Sequence, residues 1–185
     1  MSELSPTTFS IRAAGSGDLT QIQQIYAHHV LHGLASFEEV PPDEAELKRR
    51  WRAIVDTGLP YLVAVDGTGD VVLGYAYASP YRPRSAYRFT VEDSVYVAPA
   101  LEGRGIGRTL LRQLIDITTG LGKRQMIAVI GDSGNVASIG LHRACGFAMT
   151  GTFTAVGFKH GRWVDSVLMQ RPLGPGSAEM PGKDQ

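Results

Sequence analysis

Residues 90–107, Thr-Val-Glu-Asp-Ser-Val-Tyr-Val-Ala-Pro-Ala-Leu-Glu-Gly-Arg-Gly-Ile-Gly, constrain this chain more than any other stretch. The first eight are rich in β-branched and aromatic residues and read as a strand. Pro99 and the glycines at 103, 105 and 107 break the regular run, and from Ile106 the apolar residues return at helical spacing through Leu110, Leu114 and Ile117. Strand, glycine turn and helix in that order set one carboxylate, Glu92, close to a turn whose bare backbone can approach a ligand. Chemistry and ligand binding would share one short segment.

The flanking periodicities define the class. A short strand over Phe9–Arg12 precedes a helix carrying Leu19, Ile22, Ile25, Tyr26 and Val30 on one stripe, with Asp18 expected as its cap. Asp43 and Glu46 form a capping-box-like start for a second helix with Leu47, Trp51 and Ile54. Strands are expected over Tyr61–Val65, Val71–Ser79 and Tyr87–Val97, the first two joined by the turn Asp66-Gly-Thr-Gly-Asp70. After the glycine-turn helix come a strand at Met126–Ile130, a helix from Asn135 as cap to Ala144 with Gly146 at the C′ position, and strands at Thr150–Val156 and Val164–Gln170. Helices, then a meander, then strand–helix–strand crossovers describe a mixed α/β (α+β) domain on one sheet, spanning 9–173. Residues 1–8 read as flexible and the Gly/Pro-rich 174–185 as a disordered tail.

At 185 residues the chain can bury a full core without staples. Lys+Arg and Asp+Glu each total 18, so neither nucleic acid nor an anionic membrane is an expected partner. The one cysteine, Cys145, permits no intramolecular disulfide and no cysteine-based zinc site; a buried inert thiol is the expected role, and no metal is expected. There is no apolar run of about 18 residues and no basic-then-apolar leader, so a cytoplasmic location is expected.

By itself the turn Glu102-Gly-Arg-Gly-Ile-Gly107 is also compatible with a plain tight turn. It fits two phosphate-binding classes poorly. A dinucleotide fingerprint belongs in an early βαβ unit, and a P-loop ends in Gly-Lys-Ser/Thr where this turn ends Gly107-Arg108-Thr109. Taken with Asn135 and the Gly146-Phe147 helix end, the turn resembles the acetyl-CoA site of the GNAT superfamily of N-acetyltransferases. Four segments narrow the likeness to the phosphinothricin and methionine sulfoximine N-acetyltransferase group: Thr90–Val97, Ala128-Val-Ile-Gly131 with Asn135, Leu141-His142, and Phe158-Lys-His-Gly-Arg-Trp163.

That resemblance implies a single domain with a central twisted, largely antiparallel sheet flanked by about four helices, with a bulge near the catalytic strand. Acetyl-CoA would be co-substrate, the α-amine of a small amino acid or analogue the acceptor, and the protein a homodimer. The backbone of Val95, Tyr96 and Val97 would hold the pantetheine arm. Gly103, Arg104, Gly105, Ile106, Gly107 and Arg108 would cradle the pyrophosphate, and Asn135 and Ser138 would reach the cofactor from their helix start. Glu102 stands where the group carries Gln or Arg, but a cradle acting through backbone N–H groups is expected to survive it.

Amine acylation needs a proton acceptor for the arriving ammonium and a donor for the departing thiolate. Glu92 is the expected base and His142 the expected acid. Strand parity puts Glu92, Ser94 and Tyr96 on one face and Asp93, read as structural, on the other. Phe37 would wall the acceptor pocket, followed here by Glu38 where the herbicide-inactivating relatives tend to have Arg. Arg82, chosen from Arg82, Arg84 and Arg88, would hold the acceptor carboxylate. Lys159, His160 and Trp163 point to an acceptor-pocket or interface role. Two other readings stay open: a peptide N-terminal or protein lysine acetyltransferase, and a non-catalytic acyl-CoA-binding module.

Overall fold

The computed structural model describes residues 8–181, built as β1 (Phe9–Ala13), α1 (Leu19–His32), α2 (Glu44–Val55), β2 (Tyr61–Asp66), β3 (Val72–Pro80), β4 (Thr90–Val97), α3 (Ile106–Gly120), β5 (Gln125–Gly131), α4 (Val136–Ala144), β6 (Ala148–Lys159) and β7 (Arg162–Pro172). One seven-stranded sheet runs β1-β2-β3-β4-β5-β7-β6. Every neighbouring pair is antiparallel except β4 with β5. The loose ends expected at 1–8 and 174–185 lie partly outside the described residues. Within them, Gly176 and Ala178 donate backbone bonds to Leu173 and Pro175, so the chain leaves β7 in hydrogen-bonded turns.

Helices cover both faces. On one, the Tyr26 ring of α1 meets the Tyr96 ring of β4 edge-on, centroids 5.2 Å apart. Tyr61, Tyr77, Tyr75 and Tyr96 are stacked near-parallel with their neighbours across β2, β3 and β4 under α1 and α2. On the other face α3 lies so close that a Cβ on Gly74 would press on Ile106 and on the Tyr96 carbonyl oxygen. Leu110, Leu111 and Leu114 of α3 are fully buried with Ala76, Met126 and Met169, each large side chain contributing about 1.5–3 kcal/mol by leaving water.

Local signals account for most boundaries. Asp43 accepts the Glu46 backbone N–H at 2.7 Å and Asn135 accepts that of Ser138 at 3.1 Å, both as expected of N-caps. Asp18 departs from expectation. Its carboxylate makes a two-pronged pair with Arg12 (2.7 and 2.8 Å) and takes the Gly15 N–H, leaving no side-chain cap for α1. Tyr87–Phe89, expected as strand, is not: Ser85–Tyr87 forms a 3-10 turn and β4 begins at Thr90. No bulge interrupts β4. Its ladder to β3 runs in register from Gly74–Val97 to Pro80–Val91, so strand parity holds along the whole of β4.

Candidate active site

The sheet opens where chemistry was expected. β4 and β5 pair over only four rungs, Thr90–Gln125 to Asp93–Ala128, and then part; β5 continues with β7, β4 with β3. The gap is walled by Ser94–Tyr96 on one side, Val129–Gly131 on the other, and Asn135, Ser138 and His142 of α4. Leu34 and Ala35, after α1, cross its end so closely that a Cβ on Gly131 would overlap the Leu34 carbonyl. The bond from Ala98 N–H to Leu73 O fixes the alternation of the antiparallel ladder. It turns the main-chain groups of Tyr96 to β3 and those of Val95 and Val97 into the gap. His29 Nε2 already holds the Val97 carbonyl at 2.8 Å. Val95 therefore offers both main-chain groups and Val97 its N–H, while Tyr96 brings its ring.

Beyond β4 the chain reverses through two glycines in the left-handed region, Gly103 (φ 77°) and Gly105 (φ 85°). Gly105 is the N-cap residue of α3, and no atom lies within 4 Å of where its Cβ would stand. The first amides of α3, at Ile106, Gly107 and Arg108, precede the first i→i−4 bond, which Thr109 makes to Gly105. These N–H groups and the helix dipole suit a phosphate anion. Gly107 is buried, and a Cβ there would stand 3.3 Å from Val97 and 3.4 Å from Leu141. Glu102 is exposed on the same turn.

His142 is not the free donor that the sequence suggests. Its Nε2 is 2.9 Å from Asp93 Oδ2, and its Nδ1 is 2.7 Å from the Ser138 carbonyl and 3.4 Å from the Ser138 Oγ. Two acceptors on two nitrogens suit an imidazolium. Burial works to lower its pKa, but Asp93 and the Ser138 carbonyl outweigh it and the net shift is upward. The pair lies on the α3–α4 face, opposite Glu92, and the other Asp93 oxygen, Oδ1, is buried without a hydrogen-bond partner. Because the folded pKa is raised, the pair's stabilisation is complete below the unfolded value of about 6.5 and is lost as pH rises through the folded one. In urea titrations, the stability advantage of the native chain over His142→Gln is expected to be largest near pH 6 and to shrink with rising pH. A gap independent of pH would show that the pair carries no charge.

Glu92 faces the α1–α2 side. Burial raises its pKa above the ordinary carboxylate range, the Asp93 charge adds to this, and Arg82 opposes it. Of the three arginines considered, Arg82 is the one whose charge reaches Glu92. Arg88 instead caps the Ser85 carbonyl and lies over the Phe89 ring. The Tyr77 hydroxyl bonds Ser94 and feels both Glu92 and Glu38. Sequence reading missed Tyr77, although its place opposite Ser94 in the β3–β4 register follows from strand pairing.

Phe37 packs directly on Gly157 of β6, where a Cβ would overlap its ring. Lys159, 1% exposed, donates to the Ser36 carbonyl at 2.7 Å. Burial lowers its pKa, against the pull of Glu39 and Glu38. It therefore pins the loop that carries Phe37 rather than facing solvent, while Trp163 is 65% exposed. Cys145 is buried, and desolvation raises its pKa, as an inert thiol requires. Among the described residues no group of three or more metal-ligating side chains comes together, and no helix is long and apolar enough to cross a membrane.

Comparison with known proteins agrees with this geometry. The chain is 57% identical over 180 residues to a phosphinothricin N-acetyltransferase of Alcaligenes faecalis, covering 97% of this chain and 90% of that one. It is 45% identical over 166 residues to an L-methionine sulfoximine/L-methionine sulfone acetyltransferase of Pseudomonas paraeruginosa, covering 90% and 95%. The crystal structure of a phosphinothricin acetyltransferase from Sinorhizobium meliloti in complex with acetyl-CoA superposes with a TM-score of 0.91 at 52% identity, over 95% of this chain and 94% of that one. The profile of the acetyltransferase (GNAT) family matches residues 22–147, and with the parted strands and the glycine turn in place, this chain belongs to that family.

Proposed function

We propose that this N-acetyltransferase moves the acetyl group of acetyl-CoA to the α-amine of a small amino acid analogue of the phosphinothricin or methionine sulfoximine/sulfone type. The carrying observation is a half-buried carboxylate, Glu92, within reach of the Arg82 charge and one residue before the last rung at which β4 and β5 pair. In this reading the gap takes the pantetheine arm along the main chain of Val95 and Val97, and the turn at Gly103–Arg108 takes the pyrophosphate, with Asn135 and Ser138 lining the arm. Arg82 pairs with the acceptor carboxylate, and Glu92 accepts a proton from the ammonium, directly or through one water. The amine nitrogen then bonds to the thioester carbon, the C–S bond breaks, and the thiolate takes a proton. With both His142 nitrogens engaged, Ser138 Oγ and water are better placed to hand over that proton. Phe37, held by Lys159 and Gly157, closes the acceptor side.

The test is CoA release from acetyl-CoA with phosphinothricin, methionine sulfoximine, methionine sulfone, common amino acids and short peptides as acceptors. Turnover with the small analogues is the expected result. Turnover with peptides alone would favour the peptide-acetylating reading, and binding of acetyl-CoA without any release the non-catalytic one.

The same reading includes a homodimer. β6 is the sheet's last strand, and Phe153, Val156, Phe158 and Trp163 on β6 and β7 are 58–65% exposed, an apolar strip that a second copy would cover. Light scattering should give twice the chain mass, and Phe153→Asp with Trp163→Asp should give a monomer. A native monomer would overturn the assembly.

A further inference from the structure

The α1–α2 side of the site carries charges in a definite order. Arg82 acts on Glu92, Glu92 acts on the Tyr77 hydroxyl, and the same hydroxyl also feels Glu38 and Arg50. An amino acid with its carboxylate at Arg82 and its amine at Glu92 would extend its side chain along this face, where Tyr26 ties Glu38 to β4: the Tyr26 hydroxyl donates to Glu38 and its ring meets that of Tyr96. Glu38 is half-buried and fixed there: its Oε1 accepts from the Tyr26 hydroxyl at 2.9 Å and from Arg50 at 2.6 Å, while Tyr26 also meets Ser36 Oγ. Burial, eased by Ser36 and reinforced by Glu38, pushes Tyr26 up to about 12, so its hydroxyl stays a neutral donor. The Glu38 Oε2 makes no hydrogen bond among the described residues. This side of the site therefore presents tyrosine hydroxyls and a carboxylate whose ion-pair partner, Arg50, is already shared between Glu38 and Glu46.

Resting on the acceptor class proposed above, we infer that Glu38 sets acceptor choice, favouring side chains that end in an uncharged sulfone or sulfoximine over those ending in a phosphinate anion. A phosphinate placed there meets the like charge of the half-buried Glu38 carboxylate and finds Arg50 occupied. A sulfone brings only oxygen acceptors, which the tyrosine hydroxyls can satisfy, and a sulfoximine adds an N–H that Oε2 can accept.

The experiment measures kcat/KM for L-methionine sulfone and L-phosphinothricin at one saturating acetyl-CoA concentration, in the native enzyme, Glu38→Gln and Glu38→Ala. The native enzyme is expected to favour the sulfone by about tenfold or more, and both variants to shrink that ratio by about tenfold, since the charge is gone and Arg50 is freed for the phosphinate. A native preference for phosphinothricin, or a ratio that moves less than about twofold in both variants while both acceptors turn over, would overturn the assignment of Glu38 alone. Turnover of neither acceptor by an enzyme that binds acetyl-CoA would overturn the proposed acceptor class and this inference with it.

Discussion

Glu92→Gln is expected to lower kcat by about 10²–10⁴-fold while leaving acetyl-CoA affinity nearly unchanged. The substitution keeps size and shape and removes only the ability to accept a proton. The side chain faces α1 and α2, while the gap for the acyl donor is lined by the main chain of Val95 and by α4, so the two effects separate. The pH dependence sharpens the test. A protonated Glu92 cannot act as base, so kcat/KM should rise with pH through its pKa, at a position above the ordinary carboxylate range because the group is partly desolvated and next to Asp93. In Glu92→Gln that limb should vanish. Persistence of the limb, or turnover within a few-fold of native, would remove Glu92 from the role.

Gly105→Val should have the second large effect, on binding rather than chemistry. Gly105 sits at φ 85° as the N-cap of α3, a conformation that a β-branched residue adopts only with strain of about 1–3 kcal/mol. Its missing Cβ leaves open space in front of the first amides of α3, where the pyrophosphate is proposed to lie. The added side chain would both distort the turn and fill that space, and acetyl-CoA affinity should fall by about 100-fold or more by calorimetry, with the far-UV circular dichroism retained. Affinity within about threefold of native would show that the anion is held elsewhere.

Much of this was legible in local sequence because its causes are local. Asp43 and Asn135 cap the helices that follow them. The alternation of Val91–Val97 gave the right faces because no bulge interrupts β4. The glycine turn is a backbone requirement written in adjacent residues. What escaped detection depends on pairs far apart in the chain. Asp18 has the composition of a helix cap, yet the Arg12 guanidinium outcompetes the helix amides for it. His142 meets Asp93 across 49 residues, and Lys159 meets Ser36 across 123. No periodicity reports such partners. They bear on the two roles that sequence left least settled: both His142 nitrogens are engaged, and Lys159 is buried on a carbonyl of the loop that carries Phe37.

The parted strands have a thermodynamic consequence. Beyond Asp93 and Ala128 the two halves of the sheet share no rungs, and the main-chain groups of Val95 and Val97 have no β-strand beside them. An acyl donor lying along β4, as proposed, would act as a temporary strand, present when the substrate is bound and absent after product leaves. Sheet continuity then becomes a function of ligand concentration. At 100 times its Kd the donor should stabilise the fold by about 2.7 kcal/mol, and CoA with its intact arm should raise the melting temperature more than adenosine 3′,5′-bisphosphate at equal saturation. The enzyme would thus loosen and stiffen once in every catalytic cycle.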